Sequence, residues 1–366
     1  MFYRTSISTL LIFAFLALFP LNASPAAENA LRVYAWPGYF PPWLTDAFHE
    51  ETGIRVTQTV ITDNSPLVEA AREADVITPS AEMVQLLISN GLLTQLDKSR
   101  LPGLRGMDPW FAEMGYDQGF SYSVPLFWGA LYMGVNEQRL PPGFAERIRG
   151  FKDLSLPELR GRILLPDDYR SLMSVSLLAL GYTVNDFTPQ FLDEASRTAE
   201  ELVEAACRLD TATRPGRLAA PEVAVCVAWG NAELGHMIRD DGWRFFLAHE
   251  GSPVWIDAMA IPEGAVNVEG AYKFIDFVLR QEVLSRLANE SGYAIASDEA
   301  LKLLPEERRN NTVVFPPSLL RPLLEPELML PAELNDVYYE RWRKMRAKHF
   351  APAGEKMRDQ GKLTCE

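Results

Sequence analysis

The sequence predicts an α/β protein of two lobes joined by a hinge of two crossing strands. Three observations carry that expectation. The segment from Leu31 to Asn90 alternates strand-like and helix-like runs, the pattern of a parallel sheet with helices on its faces. Two later runs, VPLFWGALYMGV at 124–135 and VWIDAMAIP at 254–262, read as strands that pass through a core and cross between lobes. About 340 residues remain after a leader, more than one core usually organises.

The leader comes first. Arg4 is followed by an apolar run from Leu10 to Leu21, broken by Pro20, and by small residues from Ala23 to Ala27. This is the layout of a secretory signal peptide over residues 1–27, with an apolar core short for a membrane span. An uncleaved anchor is the alternative. Leu31 to Ala35 then reads as a strand. Pro42 to Thr52 reads as a helix, since Trp43, Leu44, Ala47 and Phe48 share one face and Gly53 offers a stop. A strand at Ile54–Val60, a short helix at Leu67–Glu73 and a buried strand at Ala74–Thr78 follow. Pro79-Ser80 opens a helix to Asn90, stopped by Gly91.

Past the first crossing, Arg162–Leu165 reads as a strand. Pro189–Leu209 reads as a long helix, with Leu192, Ala195, Ala199, Leu202, Val203 and Ala206 at helical spacing. Val223–Trp229 is a core strand, and Trp255–Ile261 is the return crossing. Glu269–Arg280 is an amphipathic helix, and Glu333–Lys348 a helix of mixed charge ahead of a polar tail at 349–366. A chain that crosses twice between lobes suits closure around a ligand.

Composition narrows the function. The net charge of -14 disfavours a nucleic-acid partner and favours a cationic one, although an acidic surface kept for solubility has the same sign. The four His show no metal-ligand spacing. There is no GxSxG or GxGxxG, and the adjacent pairs Asp167-Asp168 and Asp240-Asp241 do not make a converging acid dyad. Neither catalysis, a metal nor a cofactor is expected. An exported chain permits a disulfide between Cys207 and Cys226, and two free core thiols fit as well; Cys365 sits in the tail.

The candidate ligand contacts stand at or just after apolar, strand-like runs. Trp36 and Tyr39 flank the turn Pro37-Gly38 after the first strand, the ligand-facing end of an open α/β sheet. Trp229 ends a strand. Trp255 and Asp257 share a strand face, and an acid between Ile256 and Ala258 is costly without a cationic partner, either a ligand or a buried Arg. Tyr293 lies in ESGYAI. Asp168 fits a loop acid or a helix cap, and Ser80 an N-cap or a ligand contact. Flat rings mixed with carboxylates suit a ligand that is both apolar and cationic.

At these residues the chain resembles the periplasmic spermidine/putrescine-binding proteins of ABC transporters. The likeness runs from about Leu31 to Lys348 through YAWPGY, HEETGIRV, DVITPS, LDKSRL, VPLFWGALYMGVN, LLPDD, VAWGNAE, WIDAMAIP, AYKFIDFVLR and ESGYAI. It implies the two-lobe periplasmic binding protein fold with a two-crossing hinge (type II-like). The first lobe would comprise 31–134 plus 258–301, and the second 135–257 plus 302–348. It implies a polyamine bound in the cleft by Trp36, Tyr39, Ser80, Asp168, Trp229, Trp255, Asp257 and Tyr293. The partner would be the membrane permease of an ABC importer or, alternatively, a membrane sensor controlling a cyclic dinucleotide. The chain departs from the family pattern at several points. Pro37 and Gly38 replace a hydroxyl residue and an acid, Glu82 an aromatic, Ser171 an acid and Leu334 a polar contact, and short deletions precede Asp75 and Cys226. The acid lost at Ser171 and gained at Glu82 makes Glu82 a further candidate contact.

Overall fold

Burial alternates residue by residue along Ala30–Ala35, so Leu31, Val33 and Ala35 enter the core while Arg32 and Tyr34 stay half out. This is strand β1. It pairs in parallel with β2 (Arg55–Val60) on one edge and β3 (Val76–Ile77) on the other. The computed structural model describes residues 30–210, 215–231, 234 and 242–350. The leader, His236, Asp240, Asp241, Cys365 and the tail past Phe350 lie outside them.

Helix α1 (Pro42–Thr52) joins β1 to β2. Proline at its first position costs no hydrogen bond, and Gly53 ends it at φ 73, a left-handed conformation that glycine takes without strain. Helix α2 (Ala81–Ser89) is capped by Ser80.

Strand β4 (Ser123–Asn136) is buried at all fourteen positions, as expected of a strand covered on both faces. Next come β5 (Ile163–Pro166), helix α3 (Tyr169–Ala179), helix α4 (Pro189–Ala205), β6 (Ala206–Asp210), β7 (Val225–Trp229), β8 (Trp243–Phe246) and β9 (Ser252–Ala260). Helices α5 (Val268–Val278) and α6 (Gln281–Ser291), strands β10 (Ala294–Ile295) and β11 (Leu324–Pro326) and helix α7 (Ala332–Phe350) complete the described chain. The sheet runs β2-β1-β3-β9-β4-β7-β5-β6, with β8 and β10 also on β4 and β11 on β9.

Strand β4 changes partners midway. From Ser123 to Ala130 it pairs with β9, and Phe127 and Trp128 also pair with β10. From Leu131 onward it pairs with β7, and from Met133 with β8. One continuous strand thus serves two sets of neighbours.

Three elements differ from the sequence expectations, and two of the differences have a clear physical cause. Helix α3 was not anticipated: Arg170 to Leu178 are buried on every side, so no apolar stripe recurs at helical period. The helix expected over Pro189–Leu209 ends at Ala205, because Ala206–Asp210 pairs in parallel with β5. The helix expected over Leu67–Glu73 spans Leu67–Ala70. Cys207 and Cys226 are both free thiols. They lie on β6 and β7, which flank β5 on opposite sides. Two strand spacings of about 4.8 Å each exceed the roughly 7 Å that a disulfide tolerates between Cα atoms. No helix among the described residues is long and apolar enough to cross a membrane.

Candidate functional site

The turn Pro37-Gly38, with Gly38 at φ 78, brings Tyr39 back over the end of β1, where its N–H donates to Trp36 O at 3.3 Å. The Tyr39 ring meets Phe127 edge-on at 4.8 Å and its hydroxyl donates to the Asp257 carboxylate. Strand alternation puts Trp255 and Asp257 on one face of β9, opposite Gly129 and Phe127 of β4. A Cβ on Gly129 would stand 2.7 Å from the Trp255 indole nitrogen, so the indole fills the space where a side chain would be. Tyr293, just before β10, lies 5.6 Å from both Phe127 and Trp255 and 6.2 Å from Tyr39. Four candidate residues and Phe127 therefore form one cluster.

Asp257 is 8% exposed. Burial pushes its carboxyl up to about 7, the Tyr39 hydrogen bond pulls it partly back, and the charge of Glu82 pushes it further up. No Lys or Arg among the described residues reaches it as an ion pair, so the buried-Arg alternative does not apply here. Burial, then the Asp257 charge, hold the Tyr39 hydroxyl well above its ordinary range.

Ser80 sits beside Asp257 in an isolated antiparallel bridge, and Ala258 N–H donates to Pro79 O at 2.9 Å. The Ser80 hydroxyl is engaged as the N-cap of α2, accepting from Met83 N at 3.5 Å and from Asn64 Nδ2 at 2.8 Å. Glu82 follows in the first turn of α2. Burial raises its carboxyl, the Arg170 charge opposes the rise and Asp168 adds to it.

Asp168 is the N-cap of α3, accepting from Arg170 N at 3.3 Å, from Ser171 N at 2.8 Å and from the Ser171 hydroxyl. Ser171, at the position of the lost acid, is thus bound to Asp168. The Trp229 indole is half-buried at the end of β7, opposite Leu131. Leu131 shares a strand face with Gly129, which puts Trp229 on the Trp255 side, but Trp229 makes no ring contact with the cluster among the described residues. Trp36 is half-buried, and its indole N–H is buried without a partner among the described residues.

Phe127 and two charged residues of this region escaped the sequence reading. Glu327, just past β11, accepts from Ser174 Oγ at 2.7 Å. Burial pushes its carboxyl up to about 7; Arg170 opposes this, Asp168 adds to it, Ser174 opposes it and Glu82 adds to it. Arg170 is buried, and its guanidinium donates to Val184 O at 3.3 Å, Asn185 Oδ1 at 3.1 Å and Leu328 O at 3.4 Å. Glu327 is one acid among many in an irregular segment, and Arg170 looks like an ordinary surface cation until α3 is seen to be buried. Elsewhere Glu200, Glu204 and His349 bring donor atoms within 4.8 Å of one another. Lys348 Nζ already stands 3.1 Å and 3.5 Å from those two carboxylates.

The region therefore joins rings packed edge to face to carboxylates that lack full cationic compensation. A family profile described as bacterial extracellular solute-binding protein matches residues 72–315. The spermidine/putrescine-binding periplasmic protein of Salmonella typhimurium is 30% identical over 302 residues, 81% of this chain and 86% of that protein. The putrescine/cadaverine-binding protein of Pseudomonas aeruginosa is 27% identical over 319 residues, 83% of this chain and 90% of that protein. The crystal structure of the spermidine/putrescine ABC transporter substrate-binding protein from Streptococcus pneumoniae matches with a TM-score of 0.76 at 27% identity, covering 88% of this chain and 99% of that one. The architecture is that of the two-lobe periplasmic binding proteins.

Proposed function

The chain belongs to the bacterial extracellular solute-binding protein family, a family of binding proteins rather than enzymes, and from that premise we propose that it captures a linear polyamine between its lobes. The observation that carries this reading is Asp257, a buried carboxylate with no cationic partner among the described residues, bordered by Tyr39, Tyr293 and Trp255. An ammonium group supplies the missing charge, and the rings receive the methylenes beside it. Each methylene removed from water contributes about 0.8 kcal/mol, and each ammonium over a ring about 0.5–2 kcal/mol.

On this reading Trp36, Tyr39, Trp229, Trp255 and Tyr293 line the slot, Asp257 holds one ammonium, and Glu82 and Asp168 attract the rest. Ser80 contributes by holding α2 beside Asp257. The lobes are 31–134 with 258–301 and 135–257 with 302–348, a division supported by the change of partners along β4 between Ala130 and Leu131. The protein works outside the cytoplasm, consistent with its leader sequence and with the periplasmic relative. Its partner is the membrane permease of an ABC importer. That is preferred to a membrane sensor because the Streptococcus pneumoniae protein is described as a transporter component. Titration calorimetry with putrescine, cadaverine, spermidine and norspermidine tests the proposal. Saturable binding of at least one is expected, and no heat and no thermal shift from any of them refutes it.

A further inference from the structure

Resting on the polyamine reading, we propose that Glu82 reads a charged nitrogen in the interior of the ligand, so that the site selects a triamine over a diamine of equal length. Position is the first argument. Ser80 bridges to Asp257 at the start of α2. Glu82 stands two residues further on. Gln85, one helical turn past Glu82 and on the same face, accepts the Met329 N–H at 2.8 Å. Met329 lies two residues beyond Glu327, and Glu327 is tied to α3 through Ser174. The first turns of α2 thus run from Asp257 towards Glu327, with Glu82 between them.

The electrostatic couplings follow the same order. The charge of Glu82 raises the carboxyl of Asp257 and also that of Glu327. Neither of those two acids is among the groups that shift the other. Glu82 is the member of the row that both ends feel. No hydrogen bond or ion pair reaches its carboxylate among the described residues, whereas Asp168 is held by its cap and Glu327 by Ser174. Among the described residues, the cation whose charge bears on Glu82 and Glu327 is Arg170.

Charge balance gives the ligand class. Asp257, Glu82, Glu327 and Asp168 set against Arg170 leave three negative charges when all are ionised. A linear triamine neutralises them. A diamine leaves one carboxylate without a partner, and at this burial that group keeps its proton instead.

Spermidine and 1,8-diaminooctane have the same number of atoms between their terminal nitrogens and differ in the interior nitrogen. Their affinities, together with that of putrescine, are measured by calorimetry at pH 8 for the wild type and for Glu82→Gln. The wild type is expected to prefer spermidine to 1,8-diaminooctane by about tenfold or more, the scale of one charge-assisted hydrogen bond. In Glu82→Gln that ratio collapses to within about twofold, and putrescine loses less affinity than spermidine does. Equal wild-type affinity for the two ligands overturns the inference, as does a ratio that survives the substitution. A loss of putrescine binding as large as that of spermidine overturns it too, since Glu82 would then act on every ligand alike. Those results leave the polyamine reading standing, whereas failure of all three ligands to bind the wild type removes both.

Discussion

Asp257→Asn has opposite effects on the free and the loaded protein. In the free protein the Asp257 carboxyl titrates at about 7 instead of 3.8, and the side chain is 8% exposed. A rise of about three pKa units sets the charged form about 4 kcal/mol above its unfolded reference. Between those two pH values the native state keeps a proton that the unfolded chain has released. Stability therefore falls as pH rises through this window, and the whole cost is present above about pH 7. Asparagine is uncharged throughout and retains an oxygen for the Tyr39 hydroxyl. At pH 8 the free variant should be more stable than the wild type by up to about 4 kcal/mol, and near pH 4 the two should match. Loading reverses the order: asparagine leaves the ammonium without its counter-charge, at a cost of about 2–5 kcal/mol in affinity. Urea unfolding at pH 4 and pH 8, with and without saturating spermidine, measures both. A stability difference that does not grow between pH 4 and pH 8 refutes the burial argument, and unchanged spermidine affinity refutes the assignment of Asp257 to the ligand.

Polyamine affinity should fall by roughly tenfold per pH unit below about pH 7 for each raised carboxyl that must lose its proton, Asp257 and Glu327 both lying near 7. It should level off above pH 8; calorimetry in two buffers of different ionisation heat reads the protons released, and a flat profile from pH 5 to pH 8 contradicts it. Gly129→Ala puts a methyl 2.7 Å from the Trp255 indole nitrogen, which should displace the ring and cost spermidine about tenfold or more in affinity. A variant that binds as the wild type does would remove Trp255 from the contact. Alkylation in denaturant without reductant should modify both Cys207 and Cys226, which are free thiols on strands separated by β5; intact-mass or peptide data showing either one protected would contradict the pairing of these strands.

Much of the architecture was legible because burial in α/β proteins leaves a periodic trace. The α1 boundaries, Pro42 and Thr52, follow from an apolar stripe between a proline and a glycine. The β4 crossing follows from an unbroken apolar run. Tyr39, Trp255, Asp257 and Tyr293 were singled out because each stands at the end or on the face of a strand-like run, and the structure brings them together. Where every residue is buried, that trace disappears. It gave no sign of α3, nor of which β4 side chains face the cluster, so Phe127 was passed over. Glu327 and Arg170 were invisible for a related reason, since their significance lies in long-range neighbours. Asp168 takes the helix-cap alternative, capping α3, while its charge bears on Glu82.

Strand β3 pairs through Ile77 with Ala260, and the first half of β4 is covered by β9 and β10. A chain emerging N-terminus first therefore carries open sheet edges until these late strands follow. The sheet around β3 and the first half of β4 cannot lock before Ser252–Ala260 has been delivered. Contacts so distant in sequence close slowly. The same interval leaves bare edges that invite aggregation, so an escort that masks them is of most use before Ser252 arrives.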